Sequence, residues 1–321
     1  MKFASKTLTR FSAIAAVAAV ALLGSAAALA QPAIIYDMGG KFDKSFNEAG
    51  YNGIERWKKE SGKPYLEFEI TNESQREQAI RRMAERNASP IIAMGFGQAS
   101  ALEKVAKDFP KLQFAIVDMV VNLPNVQSTV FKEQEGSFLV GTMAALASKT
   151  GKVGFVGGMD IPLIRRFQCG YEQGVKFANP KAEVFANMTG TTGAAWNDPA
   201  RGGELAKAQF SKGADVVFAA AGGTGMGVYQ AAKDGGKLAI GVDSNQNHLQ
   251  PGTMLTSMLK RVDVAVFNAA KNFKPGTSVL GLKESGVGFA MDANNEKLVT
   301  ADMKKKVEAA QADIISGKIK V

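Results

Sequence analysis

Asp37, Asp118 and Asp243 each close a short apolar run, and Lys260 lies just beyond a fourth, at Ser257. Glycines and amides surround them: Gly39-Gly40, Gly95 and Gly97 around Phe96, Gly157-Gly158, the loop 222–227, and Asn245-Gln246. Carboxylates accept hydrogen bonds from hydroxyl and amino groups, and a lysine donates them. Glycine lets a backbone approach a ligand closely. Together these groups suit a polar neutral molecule, a sugar or a nucleoside, better than an anion. Each aspartate is equally suited to capping a following helix, so position must decide between the two roles.

Other chemistry has less support. His248 is the sole histidine, and no G-x-S-x-G elbow occurs, so a Ser-His-Asp triad has little to stand on. One histidine and one cysteine do not make a metal cluster, and no metal is expected. Cys169 has no intramolecular partner and reads as a buried, inert thiol on a helix over 163–177. The loop 222–227 lacks the Lys-Ser/Thr of a P-loop and the first strand–turn–helix setting of a dinucleotide fingerprint, so no cofactor is expected. A carboxylate pair acting as general acid and base stays open.

The elements that must position these residues follow from periodicity. Apolar runs at 33–37, 66–70, 90–94, 113–118 and 126–131 read as strands, and a second series runs through 152–156, 183–188, 215–220, 237–242 and 253–258. Amphipathic helical patterns separate most of them. Such alternation predicts an α/β protein with two doubly wound lobes and parallel sheets covered on both faces. Ligands then bind beyond the carboxyl ends of the strands, where the aspartates fall. Ser45 and Glu48 have capping-box spacing, which puts Phe46 and Asn47 in the first turn of a helix. Phe46 either faces the cleft or joins Gly50, Gly53 and Trp57 on a core face. From Arg261 the pattern reads helix, strand near 287–290, then helix from about 300 to 316. The expected lobes are 31–130 with about 256–284, and 131–255 with about 285–321. Several crossings between them would form a hinge.

The beginning of the chain has its own logic. Lys2, Lys6 and Arg10 precede an apolar stretch over about 11–23, and the segment ends Ala28-Leu29-Ala30. This is the pattern of a secretory signal over residues 1–30; the run is short for a membrane span. The formal net charge is +9, and removing the three leader charges leaves +6. The basic residues are scattered, with Arg76, Arg81, Arg82 and Arg86 on one probable helix and Lys304 to Lys306 on another. They read as solvated helix faces, so no nucleic-acid partner is expected.

At its loops the sequence resembles the basic membrane protein family, also called the purine nucleoside receptor A family, substrate-binding components of ABC transporters. The resemblance rests on residues 39–47, 135–141 and 151–158, on Phe167, Gly170 and Gly174, and on 221–225, 241–243 and 257–260. It implies a type I periplasmic-binding-protein-like fold and a purine held between two aromatics, Phe46 and Trp196. It implies that Asn47 and Asp118 read the base while Asp37, Gly222, Asp243 and Lys260 hold the ribose. Trp196 stands where members usually have Phe. Phe42 stands where many have Asp and is expected outside the pocket. The family also holds apparent flavin binders, so riboflavin or a sugar is an alternative ligand. An exported nucleoside-processing enzyme using Asp37 or Asp243 is a further one. No cysteine stands at the cleavage site for a lipid anchor, so the resemblance implies a periplasmic, monomeric receptor serving an inner-membrane ABC permease.

Overall fold

The computed structural model describes residues 31–321. The expected signal segment lies outside these residues. The first half runs β1 (Ala33–Tyr36), α1 (Phe46–Ser61), β2 (Leu66–Glu69), α2 (Arg76–Glu85), β3 (Ile91–Met94), α3 (Ala99–Asp108), β4 (Phe114–Val117) and β5 (Val126–Phe131). The second half runs α4 (Glu133–Ala147), β6 (Lys152–Met159), α5 (Pro162–Ala178), β7 (Glu183–Gly190), α6 (Pro199–Ser211), β8 (Val216–Ala220), α7 (Gly225–Asp234), β9 (Leu238–Asp243) and β10 (Met254–Lys260). The chain closes with α8 (Val262–Lys271), β11 (Gly276–Leu280), β12 (Val287–Phe289) and α9 (Ala301–Ile315).

Two six-stranded sheets result, ordered β11-β5-β4-β3-β1-β2 and β12-β10-β9-β8-β6-β7. All pairings are parallel except that of β10 with β12. Every residue of β1, β3, β4 and β8 is buried. This explains their continuous apolar sequence: a central parallel strand is covered by helices on both faces.

The chain passes between the lobes after Phe131, after Lys260 and after Leu280. The expected boundary near residue 256 therefore moves. β10 pairs with β9 from Met254 to Leu259, so it belongs wholly to the second sheet. The return to the first lobe follows its last residue. β11 is absent from the sequence reading. It is an edge strand, mostly exposed, and its sequence Gly-Thr-Ser-Val-Leu shows no burial pattern. None of the described helices is long and apolar enough to cross a membrane.

Candidate functional site

The carboxyl ends of β1, β3 and β4 face those of β8 and β9 across a cleft. The space between them, open solvent at its mouth included, is about 580 Å³. All eight expected site residues line it: Asp37, Phe46, Asn47, Asp118, Trp196, Gly222, Asp243 and Lys260. The fold brings them together although their positions span more than two hundred residues of sequence.

The entry to α1 departs from the capping box. Ser45 makes no side-chain bond to the helix. The Asp43 carboxylate caps it instead, accepting from the backbone N–H of Ser45 at 2.8 Å, Asn47 at 3.0 Å and Glu48 at 3.1 Å. Burial raises the Asp43 carboxyl to about 7, against the pull of these three donors and helped by nearby Asp243. The Ser45 hydroxyl is thereby free, and it donates across the cleft to Asp243. Beside it, Gln246 Nε2 donates to the Lys44 carbonyl at 2.8 Å and Ser244 Oγ to the Ser45 carbonyl at 3.3 Å. These bonds join the two lobes directly. A buried hydrogen bond to a charged group contributes roughly 1.5–3 kcal/mol. Ser45→Ala should therefore lower the closed fraction of the ligand-free protein about tenfold. Spin-label distances between the lobes measure this; an unchanged distribution would show that the bond does not hold the lobes together.

One polar pole of the cleft gathers Asp118, Lys260 and Asp243. Lys260 Nζ lies 2.7 Å from Asp118 Oδ2. The ammonium is almost fully buried, which works against its charge, but Asp118, Glu133 and Asp243 outweigh that and raise its pKa above the ordinary lysine value. Burial likewise raises the Asp118 carboxyl, to about 6; Lys260 pulls it down and Glu133 pushes it up. Burial raises Asp243 too, opposed by Lys260 and by the Ser45 hydroxyl. Asp118 and Asp243 have φ of +73° and +64°, a region that non-glycine residues occupy only when their surroundings enforce it. Asp118 Oδ1 has no hydrogen-bond partner among the described residues. The resemblance assigns Asp118 to a base and Lys260 to a ribose. In the structure the two form one ion pair, so Asp118 groups with Lys260 and Asp243.

The other pole is built on Asp37. Its Oδ1 lies 3.3 Å from Arg76 Nη2. Burial raises the Asp37 carboxyl, against a backbone bond at Met38 and the Arg76 guanidinium. A Cβ at Gly95 would lie 2.4 Å from Asp37 Oδ2, so this position has room only for glycine. Asn47 is spent on the backbone. Its Oδ1 accepts from the Asp37 N–H at 3.1 Å, and its Nδ2 donates to the carbonyls of Asp37 at 3.0 Å and Gly40 at 3.2 Å. Both amide donors are used in holding the loop 37–40, while Oδ1 keeps a second lone pair. Arg76 escapes the sequence reading, which places it on a solvated helix face. It is the first residue of α2, separated from β2 by a 3₁₀ turn at Glu73–Gln75, so the residues that immediately follow the strand do not point to it.

Aromatic and apolar groups form the walls. Trp196 ends a 3₁₀ turn, Gly193–Trp196, beyond β7 and is half-buried. A Cβ at Gly158 would lie 2.1 Å from Trp196 Cζ3; the indole rests directly on the end of β6. Phe46 opens α1 while Gly50, Gly53 and Trp57 are buried behind it. The same helical face is core along its length and cleft at its first turn. Phe96, just beyond β3, adds apolar lining, as do Leu163, Ile164 and Phe167 of α5, which the strand ends alone do not reveal. Phe42 is exposed and outside the cleft, edge-on to Tyr51. Cys169 is exposed, not buried as the sequence suggests, because its position on α5 faces away from the core.

Two α/β lobes with a polar and aromatic cleft at their strand ends define a substrate-binding protein. The family model for PnrA-like substrate-binding proteins of ABC transporters matches residues 31–321, and the chain belongs to that family. It is 35% identical to a CD4+ T-cell-stimulating antigen of Listeria monocytogenes, over 90% of this chain and 87% of that one. It is 33% identical to the ABC transporter nucleoside-binding protein BmpA of Lactococcus lactis, over 90% and 88%. The crystal structure of an ABC transporter solute-binding protein from Aeropyrum pernix superposes with a TM-score of 0.83 at 30% identity, covering 91% of this chain and 92% of that one.

Proposed function

We propose that the protein captures a purine nucleoside between its lobes, outside the cytoplasmic membrane and in the periplasm, and delivers it as a monomer to an ABC permease. The observation that carries this reading is the pairing, in one cleft, of aromatic walls at Phe46 and Trp196 with the carboxylate–lysine pole of Asp118, Asp243 and Lys260. A flat base gains from π faces, and ribose hydroxyls need acceptors and one donor. Asp118 Oδ1 is such an acceptor, buried and unpartnered. The surplus of carboxylates disfavours a phosphate. The name of the Lactococcus relative agrees with a nucleoside.

Calorimetric titration of ligand-stripped protein tests this. Guanosine, inosine and adenosine should bind saturably, with cytidine and free guanine weaker, and no free base should appear on incubation. Silence toward nucleosides with a signal from riboflavin or a sugar would move the ligand to that class, and release of base would make the protein an enzyme.

The pH dependence has a definite sign. Ligand hydroxyls donate best to an ionised carboxylate, so affinity should weaken as pH falls through about 6, where Asp118 takes up its proton. The loss should approach about tenfold per pH unit. Fold stability responds oppositely. A carboxyl whose folded pKa is raised contributes stability that is fully present below its unfolded pKa of about 4 and is lost as pH rises through the folded one. Protonation of Asp118 and Asp43 should thus remove binding without lowering the melting temperature of the ligand-free protein.

A further inference from the structure

Lys260 has a second carboxylate partner. Glu133 Oε1 lies 3.1 Å from its ammonium, and the Glu133 side chain is fully buried. The other Glu133 oxygen, Oε2, lies 2.9 Å from Arg166 Nε, on the half-exposed guanidinium of α5. The rings of Phe46, Phe131 and Phe167 surround the same ammonium, their centroids 5.5, 5.1 and 5.5 Å away. An ammonium has three donors. Asp118 Oδ2 accepts one. Glu133 Oε1 lies at ion-pair distance but accepts no hydrogen bond among the described residues, so two donors remain for the cleft that Lys260 lines.

The two carboxylates differ in where they are mounted. Glu133 is the first residue of α4, just past the first crossing, and Lys260 is the last of β10, just before the second. Both belong to the second lobe. Asp118 follows β4 in the first lobe. When the lobes part, Asp118 moves away from Lys260 and Glu133 stays. We propose that Glu133 is a positioning residue: it holds the Lys260 ammonium in the cleft while the lobes are open, so that the donor is in place before they close on the ligand. This deepens the nucleoside reading and rests on it for the ligand, but not for the geometry.

The charged groups facing Lys260 are Asp118, Glu133 and Asp243, with Arg166 behind Glu133. Glu133→Gln keeps the shape and removes one charge. In ligand-free protein carrying ¹⁵N-lysine, the Lys260 ammonium, assigned by its disappearance in Lys260→Met, should give a signal protected from solvent exchange. In Glu133→Gln that signal should merge with those of exposed lysines. The alkaline limb of guanosine affinity should move to lower pH by about one unit, and association should slow about tenfold. A defect of packing alone would lower affinity equally at all pH values. If Glu133→Gln does not fold, Glu133→Asp retains the charge on a shorter arm and should show an intermediate loss of protection. An unchanged, protected Lys260 signal in either folded variant overturns the proposal. If guanosine does not bind even the wild-type protein, the nucleoside reading fails, and the ligand-free signal alone decides the role of Glu133.

Discussion

Trp196→Ala is expected to weaken purine nucleoside binding about a hundredfold while leaving the melting temperature nearly unchanged. The indole is fixed before any ligand arrives, because it rests on the bare backbone of Gly158, where a Cβ would lie 2.1 Å away. Stacking a base on such a face is worth roughly 1–3 kcal/mol, and the apolar area lost with the ring adds at about 25 cal/mol per Å². The side chain is only half-buried without ligand, so little core packing disappears with it. Phe46→Ala should cost at least as much affinity, about a hundredfold, since Phe46 also flanks Lys260 at 5.5 Å and its removal loosens two features at once. Calorimetry with guanosine reads both. Near-normal affinity in both variants would sink the aromatic sandwich and leave the polar pole as the only recognition element.

The cleft was legible in the sequence because one geometric rule applies strand by strand. In a doubly wound lobe the residue that follows a buried strand emerges at the mouth. Asp37, Asp118 and Asp243 obey it. Trp196 does not follow a strand directly, and only its resemblance to a family motif pointed to it; for Phe46 the spacing gave a first helical turn and left cleft and core open. Roles were less legible than places. Asn47 has the same chemistry whether it faces a ligand or a turn, and only the coordinates show its donors bound to Asp37 and Gly40. The S-x-x-E spacing at Ser45 and Glu48 was misleading for a related reason. Asp43, two residues earlier, is the stronger acceptor and takes the helix N–H groups. That competition releases Ser45 to bridge the lobes.

The parts that escaped notice share a cause: they depend on contacts between segments far apart in sequence. Arg76 resembles its neighbours Arg81 and Arg82 on α2, yet it alone turns toward Asp37. Glu133 starts a helix whose first turn carries two glutamates, a pattern that normally indicates favourable placement at a helix N-terminus. Nothing local marks it as the partner of a lysine more than a hundred residues later. β11 has no alternation because an exposed edge strand buries little, and its pairing with β5 is set by the backbone.

Lys260→Met is expected to damage both the fold and the site, and the pH dependence of the damage separates electrostatics from packing. Methionine fills much of the lysine's volume among Phe46, Phe131 and Phe167, so the apolar contacts largely survive. The charge does not. Asp118 and Glu133 remain buried near each other, with Asp243 close by, and their shared cation is gone. Removing one partner from a buried ionic group destabilises by roughly 3–5 kcal/mol. The bare Asp118 carboxylate should then hold its proton to still higher pH than the value near 6 it has beside Lys260. Stability tied to a raised carboxyl pKa is complete below the unfolded value and disappears as pH rises through the folded one. Urea denaturation should therefore find the variant far weaker than the wild type at neutral pH and much closer to it after acidification toward about pH 4. A deficit that is the same at both pH values would assign the loss to packing. Adding Asp118→Asn to Lys260→Met should restore part of the neutral-pH stability, because it removes one stranded charge, while nucleoside binding stays weak because the Lys260 donor and the Asp118 charge are both gone.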